Sequence, residues 1–229
     1  MNAVLLAAGS GTRMKADVNK VFLKLLGREI ILYTLDALEK SDMIDRIIIV
    51  TGRRDIDRCR MLSAGFKKVS DVIIGGSTRQ ESSFIGVSEA DSKYVLIHDA
   101  ARALVTAADI TVAAEAAIKF GAAAVGAPCV DTMKLCDSDG FIKGTVEREK
   151  LFKIFTPQVF IRSELLKLHV LAKEQSYQVT DDCALFEWGG LPVKLVSGSP
   201  DNIKLTVPED ISAAEGILRK RCSGFSDLL

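Results

Sequence analysis

A glycine-rich segment near the start of the chain holds residue types that bind phosphate. Gly9-Ser10-Gly11-Thr12-Arg13-Met14 directly follows a short apolar run, and Lys20 comes a few positions later. Glycines after a strand let backbone N–H groups approach phosphate oxygens closely. Arg13 and Lys20 would add a bidentate and a point-charge contact to a polyphosphate. By itself, the segment leaves phosphate binding and an ordinary tight turn equally open.

Two common nucleotide-binding motifs do not fit this segment. The dinucleotide fingerprint needs a third glycine where Met14 stands, and an acidic residue closing the second strand, where the chain has Thr51-Gly52. A Walker A loop needs Gly-Lys-Ser/Thr after the glycines, and no such sequence follows. The pattern therefore disfavours an NAD-dependent oxidoreductase.

The charge balance directs attention to local sites. The chain has 229 residues with 30 Lys and Arg and 30 Asp and Glu, so its formal net charge is zero. No global field draws it to nucleic acid or anionic lipid, and no stretch approaches the ~20 apolar residues of a membrane span. Five cysteines without a C-x-x-C pair and two histidines predict no protein metal site. The odd cysteine count without a secretory leader favours reduced thiols in a cytoplasmic protein.

Alternating strands and helices must position these residues. The continuous β-branched run Arg46–Thr51 is typical of a parallel strand covered on both faces. Apolar residues at helical spacing predict a helix over Ile30–Lys40. The alternation predicts an α/β fold, a Rossmann-like and mostly parallel sheet flanked by helices, in a single domain over residues 1–229. The other predicted strands are Ala3–Ala7, Val69–Ile74, Tyr94–His98 and Ala122–Val130, and the other helices include Asp55–Ala64 and Pro208–Arg221.

Capping boxes mark three helix starts, at Ser77-x-x-Gln80, Thr106-x-x-Asp109 and Thr206-x-x-Glu209. Of the two histidines, His98 is predicted to be a hydrogen-bonded core residue and His169 a residue on a helix surface.

The segment from Asp131 to Arg148 interrupts the alternation. It is polar, and Asp139-Gly140 stands between two short apolar-containing runs, as in a hairpin turn. We therefore expect residues 131–150 to form a β-arm that projects from the domain.

The chain resembles one family along nearly its whole length. The segment Leu6–Met14 with Lys20 looks like the nucleotidyltransferase signature. Further blocks are similar, in the same order, to those of the 2-C-methyl-D-erythritol 4-phosphate cytidylyltransferases of the non-mevalonate isoprenoid pathway. These blocks are Gly75–Ser82, His98–Arg102, Asp131–Lys134, Thr156–Gln158, Thr180–Asp182 and Asp201–Thr206. Each block says little alone, but their common order makes the resemblance specific.

This resemblance implies transfer of CMP from CTP to 2-C-methyl-D-erythritol 4-phosphate with release of pyrophosphate. It implies catalytic roles for Arg13, Lys20, Arg148 and Lys204. The residues it implies for nucleotide binding are Ala7, Ala8, Gly9, Gly11, Gly76, Ser77, Ser82, Asp99, Ala100 and Arg102. Those it implies for the sugar phosphate are Thr132, Arg148, Thr156, Thr180 and Lys204. It further implies Mg²⁺ held mainly by the CTP phosphates, and a homodimer whose arms carry Thr132 and Arg148 to the neighbouring subunit.

The chemistry of this reaction agrees with the residue types. A phosphate monoester has a second pKa of about 6 and is mostly dianionic at neutral pH, so it attacks without a general base. The reaction needs two anions to be brought together and aligned, which preplaced positive charge can do.

Two alternatives remain open. Polyol-phosphate cytidylyltransferases that use ribitol 5-phosphate tend to have L-A-G-G and H-D-S-V-R where this chain has Leu6-Ala7-Ala8-Gly9 and His98–Arg102. A non-catalytic paralogue would bind CTP without releasing pyrophosphate. Three departures bear on this: Asn19 and Ala103 replace prolines, which can loosen two loops, and Ser77 replaces an acidic residue.

Overall fold

The computed structural model describes residues 1–9 and 19–223. Its strands are β1 (Asn2–Leu6), β2 (Lys24–Leu25), β3 (Arg28–Glu29), β4 (Arg46–Thr51), β5 (Val69–Ile74), β6 (Tyr94–Asp99), β7 (Ala122–Pro128), β8 (Lys134–Cys136), β9 (Ile142–Thr145), β10 (Phe152–Ile161) and β11 (Lys194–Ser197). Its α-helices are α1 (Ile30–Lys40), α2 (Ile56–Ser63), α3 (Arg79–Glu89), α4 (Ala107–Phe120), α5 (Arg162–Glu174), α6 (Asp182–Trp188) and α7 (Pro208–Ser223).

A seven-stranded sheet organises the chain, in the order β11-β7-β10-β6-β1-β4-β5. β1 pairs in parallel with β4 and β6, β4 with β5, and β7 with β11. β10 runs antiparallel to both of its neighbours. The predicted mostly parallel α/β sheet is therefore confirmed. Two strands of this sheet, β10 and β11, were not predicted from the alternating pattern.

Apolar residues cover both faces of this sheet, as the continuous strand runs predict. On one face, α1, α2 and α4 pack against alternate strand residues such as Leu5 and Ile49. On the other face, α3, α5 and α6 pack against the intervening residues, such as Val4 and Ile48. α7 packs with the short strand β2 in a third, smaller cluster that includes Ala214. The arrangement leaves the carboxyl ends of β1, β4, β5 and β6 together at one edge.

The predicted hairpin is present in the segment 131–150. β8 and β9 pair antiparallel on either side of Asp139-Gly140, and Gly140 has a positive φ of 86°. Phe141 N–H and Asp139 N–H both donate to Asp137 Oδ1, which closes the turn. Among the strands described in residues 1–9 and 19–223, the hairpin pairs with none of the main sheet.

Two of the predicted helix starts need correction. The Thr106–Asp109 capping box of α4 is confirmed in both directions. The box predicted at Ser77 is wrong, because Thr78 is the N-cap of α3 and accepts from Glu81 N–H. Thr206 bonds to Asp210 and not to Glu209: its N–H and hydroxyl both donate to Asp210 Oδ2, at 2.6 and 2.9 Å.

No helix in the stretches 1–9 and 19–223 combines the length and the apolar character that crossing a membrane demands.

Candidate active site

The carboxyl edge of the sheet holds a cavity of about 360 Å³. It forms there because the loops after β1, β5 and β6 meet at this edge, where parallel α/β sheets place their ligands. The described residues that line it are Leu6, Ala7, Ala8, Gly9, Lys20, Val21, Gly76, Ser77, Thr78, Arg79, Ser82, Asp99, Ala101, Lys204 and Thr206.

Close packing at this edge sets the residue type after β5. A Cβ on Gly75 would lie 2.7 Å from Ser82 Oγ and 3.0 Å from Ala8 Cβ. Only a residue without a side chain lets the loop after β1 and the first turn of α3 approach each other this closely. The backbone N–H of Gly75 also donates to Thr51 O at 2.8 Å, which ties this loop to the end of β4.

Asp99, at the end of β6, is the electrostatic centre of the cavity. Lys204 Nζ lies 2.6 Å from its Oδ2, and Arg79 Nε lies 3.3 Å from its Oδ1. Burial alone would raise the pKa of Asp99, but the charges of Arg79 and Lys204 outweigh burial and lower that pKa to about 2. The carboxylate is therefore ionised at neutral pH. It contacts two cationic side chains, Arg79 and Lys204, that are 125 positions apart in the sequence.

Arg79 joins Asp99 to a second, fully buried carboxylate. Its Nη1 lies 2.8 Å from Asp182 Oδ2, and Asp182 Oδ1 accepts from Ser83 Oγ at 2.6 Å. His169 Nε2 lies 3.3 Å from the same oxygen. Burial would raise the pKa of Asp182, but the charge of Arg79 together with His169 and the Ser83 hydrogen bond outweighs burial and holds that pKa well below its usual range. A continuous chain of charges thus runs from the interior of the protein to Lys204 in the cavity.

The lining of the cavity suits an anion. Among the described lining residues, three are cations, Lys20, Arg79 and Lys204, and one is a carboxylate, Asp99. Since the whole chain is neutral, this excess is local. Such a surface can neutralise a polyphosphate and align a second anion beside it.

Most of the nucleotide-binding residues that the resemblance implies lie together in this cavity. Ala7, Ala8, Gly9, Gly76, Ser77, Ser82 and Asp99 line it, and so do the predicted catalytic residues Lys20 and Lys204. Gly11 and Arg13 lie outside the described residues.

Other predicted residues lie behind or away from the cavity. Ala100 is fully buried, and its N–H donates to Leu6 O. Arg102 lies over the ring of Phe155 and donates to Asn202 O at 2.7 Å. Thr156 is buried and its hydroxyl accepts from Asp99 N–H at 3.0 Å. These three residues pack around the end of β6, where Asp99 lies.

Thr132, Arg148 and Thr180 are exposed and do not line the cavity of their own chain. Arg148 donates to Val130 O at 3.3 Å within the arm.

The two histidines have structural positions. His98 is fully buried, and burial lowers its pKa to about 4, so its imidazole is neutral at pH 7. Its Nε2 lies 3.3 Å from Arg102 O, to which it donates. The prediction of a helix-surface position for His169 is wrong, because only 2% of it is exposed and its ring faces Asp182.

Ser77 stands where the family resemblance implies that an acidic residue is common. A carboxylate nevertheless lies beside it. Its N–H and its hydroxyl both donate to Glu81 Oε2, at 2.6 Å each. These bonds lower the pKa of Glu81. A negative charge therefore remains near position 77, supplied from the first turn of α3.

Arg79 and Asp182 were missed as functional candidates. Both lie in blocks that carry the family resemblance, Gly75–Ser82 and Thr180–Asp182. The resemblance implied no role for Arg79, and no sequence pattern indicated a buried partner for Asp182. The available signal was that a cation at the first position of a helix is disfavoured by the helix dipole, so Arg79 required an acidic partner from elsewhere.

Metal ligands are sparse in the described part of the chain. Within residues 1–9 and 19–223, no three His, Cys, Asp or Glu side chains gather as a metal site would require. Asp99 is the one carboxylate among the described cavity-lining residues, and both of its oxygens already contact cations.

Comparison with known proteins gives a consistent result. Residues 1–220 match the family model described as IspD, 2-C-methyl-D-erythritol 4-phosphate cytidylyltransferase. A relative of that name from Clostridium acetobutylicum is 40% identical over 95% of this chain and 97% of its own. One from Desulforamulus reducens is 43% identical over 96% of each chain.

Solved structures agree with the sequence relatives. The crystal structure of a 4-diphosphocytidyl-2C-methyl-D-erythritol synthase from Anaerococcus prevotii has a TM-score of 0.86 at 30% identity and covers 95% of both chains. The corresponding cytidylyltransferase from Thermus thermophilus has a TM-score of 0.77 at 28% identity, over 94% of this chain and 98% of that one.

Asp182→Asn tests the buried end of the charge chain. It leaves Arg79 without its closest partner, so we expect the free energy of unfolding at pH 7 to fall by about 3 kcal/mol. Because folding lowers the pKa of Asp182, its contribution is complete above the unfolded value of 3.8 and is lost as the pH falls below it. The difference in free energy of unfolding between wild type and variant, measured with urea, should therefore become smaller as the pH falls from 5 to 3.

The neighbouring Asp181→Asn is the matched control. Asp181 caps α6 by accepting from Ala184 N–H, and asparagine caps a helix about as well, so stability should change by less than about 1 kcal/mol. Equal losses in the two variants, or a gap for Asp182→Asn that does not depend on pH, would contradict the buried ion pair.

Proposed function

The chain belongs to the 2-C-methyl-D-erythritol 4-phosphate cytidylyltransferase family, and from this membership we propose how it works. It transfers CMP from CTP to 2-C-methyl-D-erythritol 4-phosphate and releases pyrophosphate, in isoprenoid precursor biosynthesis. The observation that carries this function is the cation-rich cavity at the carboxyl edge of the sheet, in a chain that matches the family over residues 1–220.

The reaction is a displacement at the α-phosphorus of CTP. An oxygen of the sugar phosphate forms a new bond to that phosphorus, the bond to the bridging oxygen breaks, and pyrophosphate leaves with the electron pair. The attacking phosphate is already mostly dianionic at pH 7, so no general base is required. The neutral, buried His98 is consistent with this, since the reaction asks for positioning and positive charge.

We assign the nucleotide to the residues that line the cavity. Ala7, Ala8, Gly9, Gly76, Ser77, Ser82 and Asp99 would surround the base and ribose, with Gly11, Ala100 and Arg102 completing the loops around them. Arg13 and Lys20 would stabilise the charge that develops on the α-phosphate and the leaving pyrophosphate. The position of Lys20 in the cavity supports this assignment, and Arg13 is assigned from the sequence.

Lys204 is assigned to the attacking phosphate. Its ammonium group contacts Oδ2 of Asp99, whereas Arg79 contacts Oδ1 of the same carboxylate. Because Lys204 lies in the same cavity as Lys20, it can hold the incoming phosphate close to the nucleotide phosphates. Thr156 and Thr180 would complete this acceptor pocket.

Mg²⁺ would supply charge neutralisation on the triphosphate oxygens when it is bound with CTP. The residues of the chain then have to hold the phosphates around it, since Asp99 is already engaged by two cations.

We propose that the arm, residues 131–150, joins two copies of the chain. Large apolar side chains on and beside it are exposed, which is costly unless another surface covers them. They are Val130 (72%), Met133 (45%), Leu135 (61%), Phe141 (68%) and Ile142 (64%). Thr132 and Arg148 lie on the same arm and outside the cavity of their own chain, so a homodimer could bring them to the acceptor site of the partner. The free cysteines are consistent with a cytoplasmic location.

Pyrophosphate release distinguishes the candidate functions. With Mg²⁺ present, we expect turnover with CTP and 2-C-methyl-D-erythritol 4-phosphate, and far slower turnover with ATP, GTP or UTP. Faster turnover with ribitol 5-phosphate would assign the chain to the polyol-phosphate enzymes. CTP binding by calorimetry without any pyrophosphate release would identify a non-catalytic paralogue.

The arm assignment predicts complementation between two inactive variants. Lys20→Ala, like Arg13→Ala, should lower kcat by about 10²-fold or more, and Arg148→Ala should mainly raise KM for the sugar phosphate. If Arg148 serves the neighbouring subunit, a mixed dimer has one complete site. An equal mixture of Lys20→Ala and Arg148→Ala should then recover about a quarter of the wild-type rate at low acceptor concentration, because half the dimers are mixed and each has one intact site. A mixture no faster than its components would show that the arm does not act across subunits.

A further inference from the structure

Asn19 links the end of the phosphate loop to two strands. It directly precedes Lys20, and only 8% of it is exposed. Its Nδ2 donates to Ala7 O at 2.8 Å and to Asp55 Oδ2 at 2.9 Å. Its Oδ1 accepts from Val21 N–H at 3.3 Å. The carboxamide thus uses both of its donor hydrogens and its acceptor.

These partners belong to the rigid part of the fold. Ala7 follows β1, and its own N–H donates to Val50 O of β4 at 2.7 Å. Asp55 lies in the short 3₁₀ helix that follows β4. The chain at Asn19 is therefore fixed to the ends of two adjacent parallel strands through a single side chain.

The bond to Val21 starts the turn that carries Lys20. Asn19 is the N-cap of the 3₁₀ helix Lys20–Phe22, in which Val21 and Phe22 are buried. Phe22 N–H donates to Asn19 O at 2.9 Å and Leu23 N–H donates to Lys20 O at 3.0 Å, so the turn that carries Lys20 begins at Asn19. Lys20 itself faces the cavity.

We propose that Asn19 is a positioning residue for Lys20: its carboxamide, held by Ala7 and Asp55, fixes the main chain from which the Lys20 ammonium reaches the nucleotide phosphates. The inference rests on the role proposed above for Lys20. An error of about 1 Å in the placement of a catalytic group can cost 10²-fold in rate, so a side chain that never touches substrate can still set the rate.

The test is a double-mutant cycle on the single-turnover rate of pyrophosphate release. Asn19→Ala should slow that rate by roughly 10- to 100-fold, with KM for the sugar phosphate unchanged. In a Lys20→Ala background the same substitution should change the remaining rate by less than about twofold, because Asn19 acts through Lys20. Asp55→Ala removes one of the two Nδ2 partners and should give a smaller loss that also disappears in that background.

Asn2→Ala is the matched control. Asn2 is a buried asparagine at the opposite end of β1, where its Oδ1 accepts from Asp91 N–H and Ser92 N–H. Its replacement by alanine should lower the thermal midpoint, because two buried hydrogen bonds are lost, and should leave the single-turnover rate unchanged. If Asn19→Ala is unfolded at the assay temperature, Asp55→Ala decides the question, since Asp55 is only partly buried.

Different failures have different meanings. A normal rate for Asn19→Ala and Asp55→Ala beside a slow Lys20→Ala would overturn the positioning role alone. An equal slowing by Asn19→Ala in both backgrounds would do the same, because it would make the effect independent of Lys20. A normal rate for Lys20→Ala would refute the assignment of Lys20 and the positioning role together.

Discussion

The carboxylate of Asp99 holds together parts of the chain that are far apart in sequence. It stands at the end of β6, the strand beside β1 in the centre of the sheet, and it contacts Arg79 from the start of α3 and Lys204 from the loop before α7. Without a nearby anion, the cationic side chains of the cavity would repel one another in the absence of substrate. Asp99 offsets this repulsion, and the second carboxylate Asp182 anchors Arg79 from behind.

This arrangement explains how a neutral protein can bind two anions. The excess of positive charge is confined to one edge of the sheet, where strand ends and helix starts converge, and Asp99 and Asp182 compensate it from the inner side. Arg79 and Lys204 are therefore held in place before any ligand binds, so in the proposed site little reorganisation would be needed when the substrates enter. The positioning role proposed for Asn19 follows the same logic, with neutral hydrogen bonds in the place of another charge.

Local sequence signals were sufficient for five of the seven strands of the main sheet, whereas most cavity residues were implied by the family resemblance. The β-branched runs Arg46–Thr51 and Val69–Ile74 are strands with the predicted bounds, and the helix over Ile30–Lys40 also has its predicted bounds. Such elements are specified by neighbouring residues. The antiparallel insertion of β10 was not predicted, because strand order depends on pairing between distant segments.

Long-range partners were the main limit within the site. Arg79 and Asp182 are 103 positions apart, and no local pattern pairs them. His169 was misplaced for the same reason, since its helix looks amphipathic in sequence while α6 covers its ring. The capping box at Ser77 was misassigned by one residue, because Ser and Thr adjoin there and both can cap a helix. Asn19 carried a signal as a departure from proline, but its partners Ala7 and Asp55 became visible only in the fold.

The most direct test of this account is the kcat of Asp99→Asn with CTP and 2-C-methyl-D-erythritol 4-phosphate, measured beside its thermal midpoint. The substitution keeps the shape of the side chain and removes the charge that holds Arg79 and Lys204. We expect a folded protein whose kcat is lower by about 10²-fold, although the cavity has become more positive and CTP binding need not weaken. A folded Asp99→Asn variant with the wild-type kcat would contradict the central role of this carboxylate.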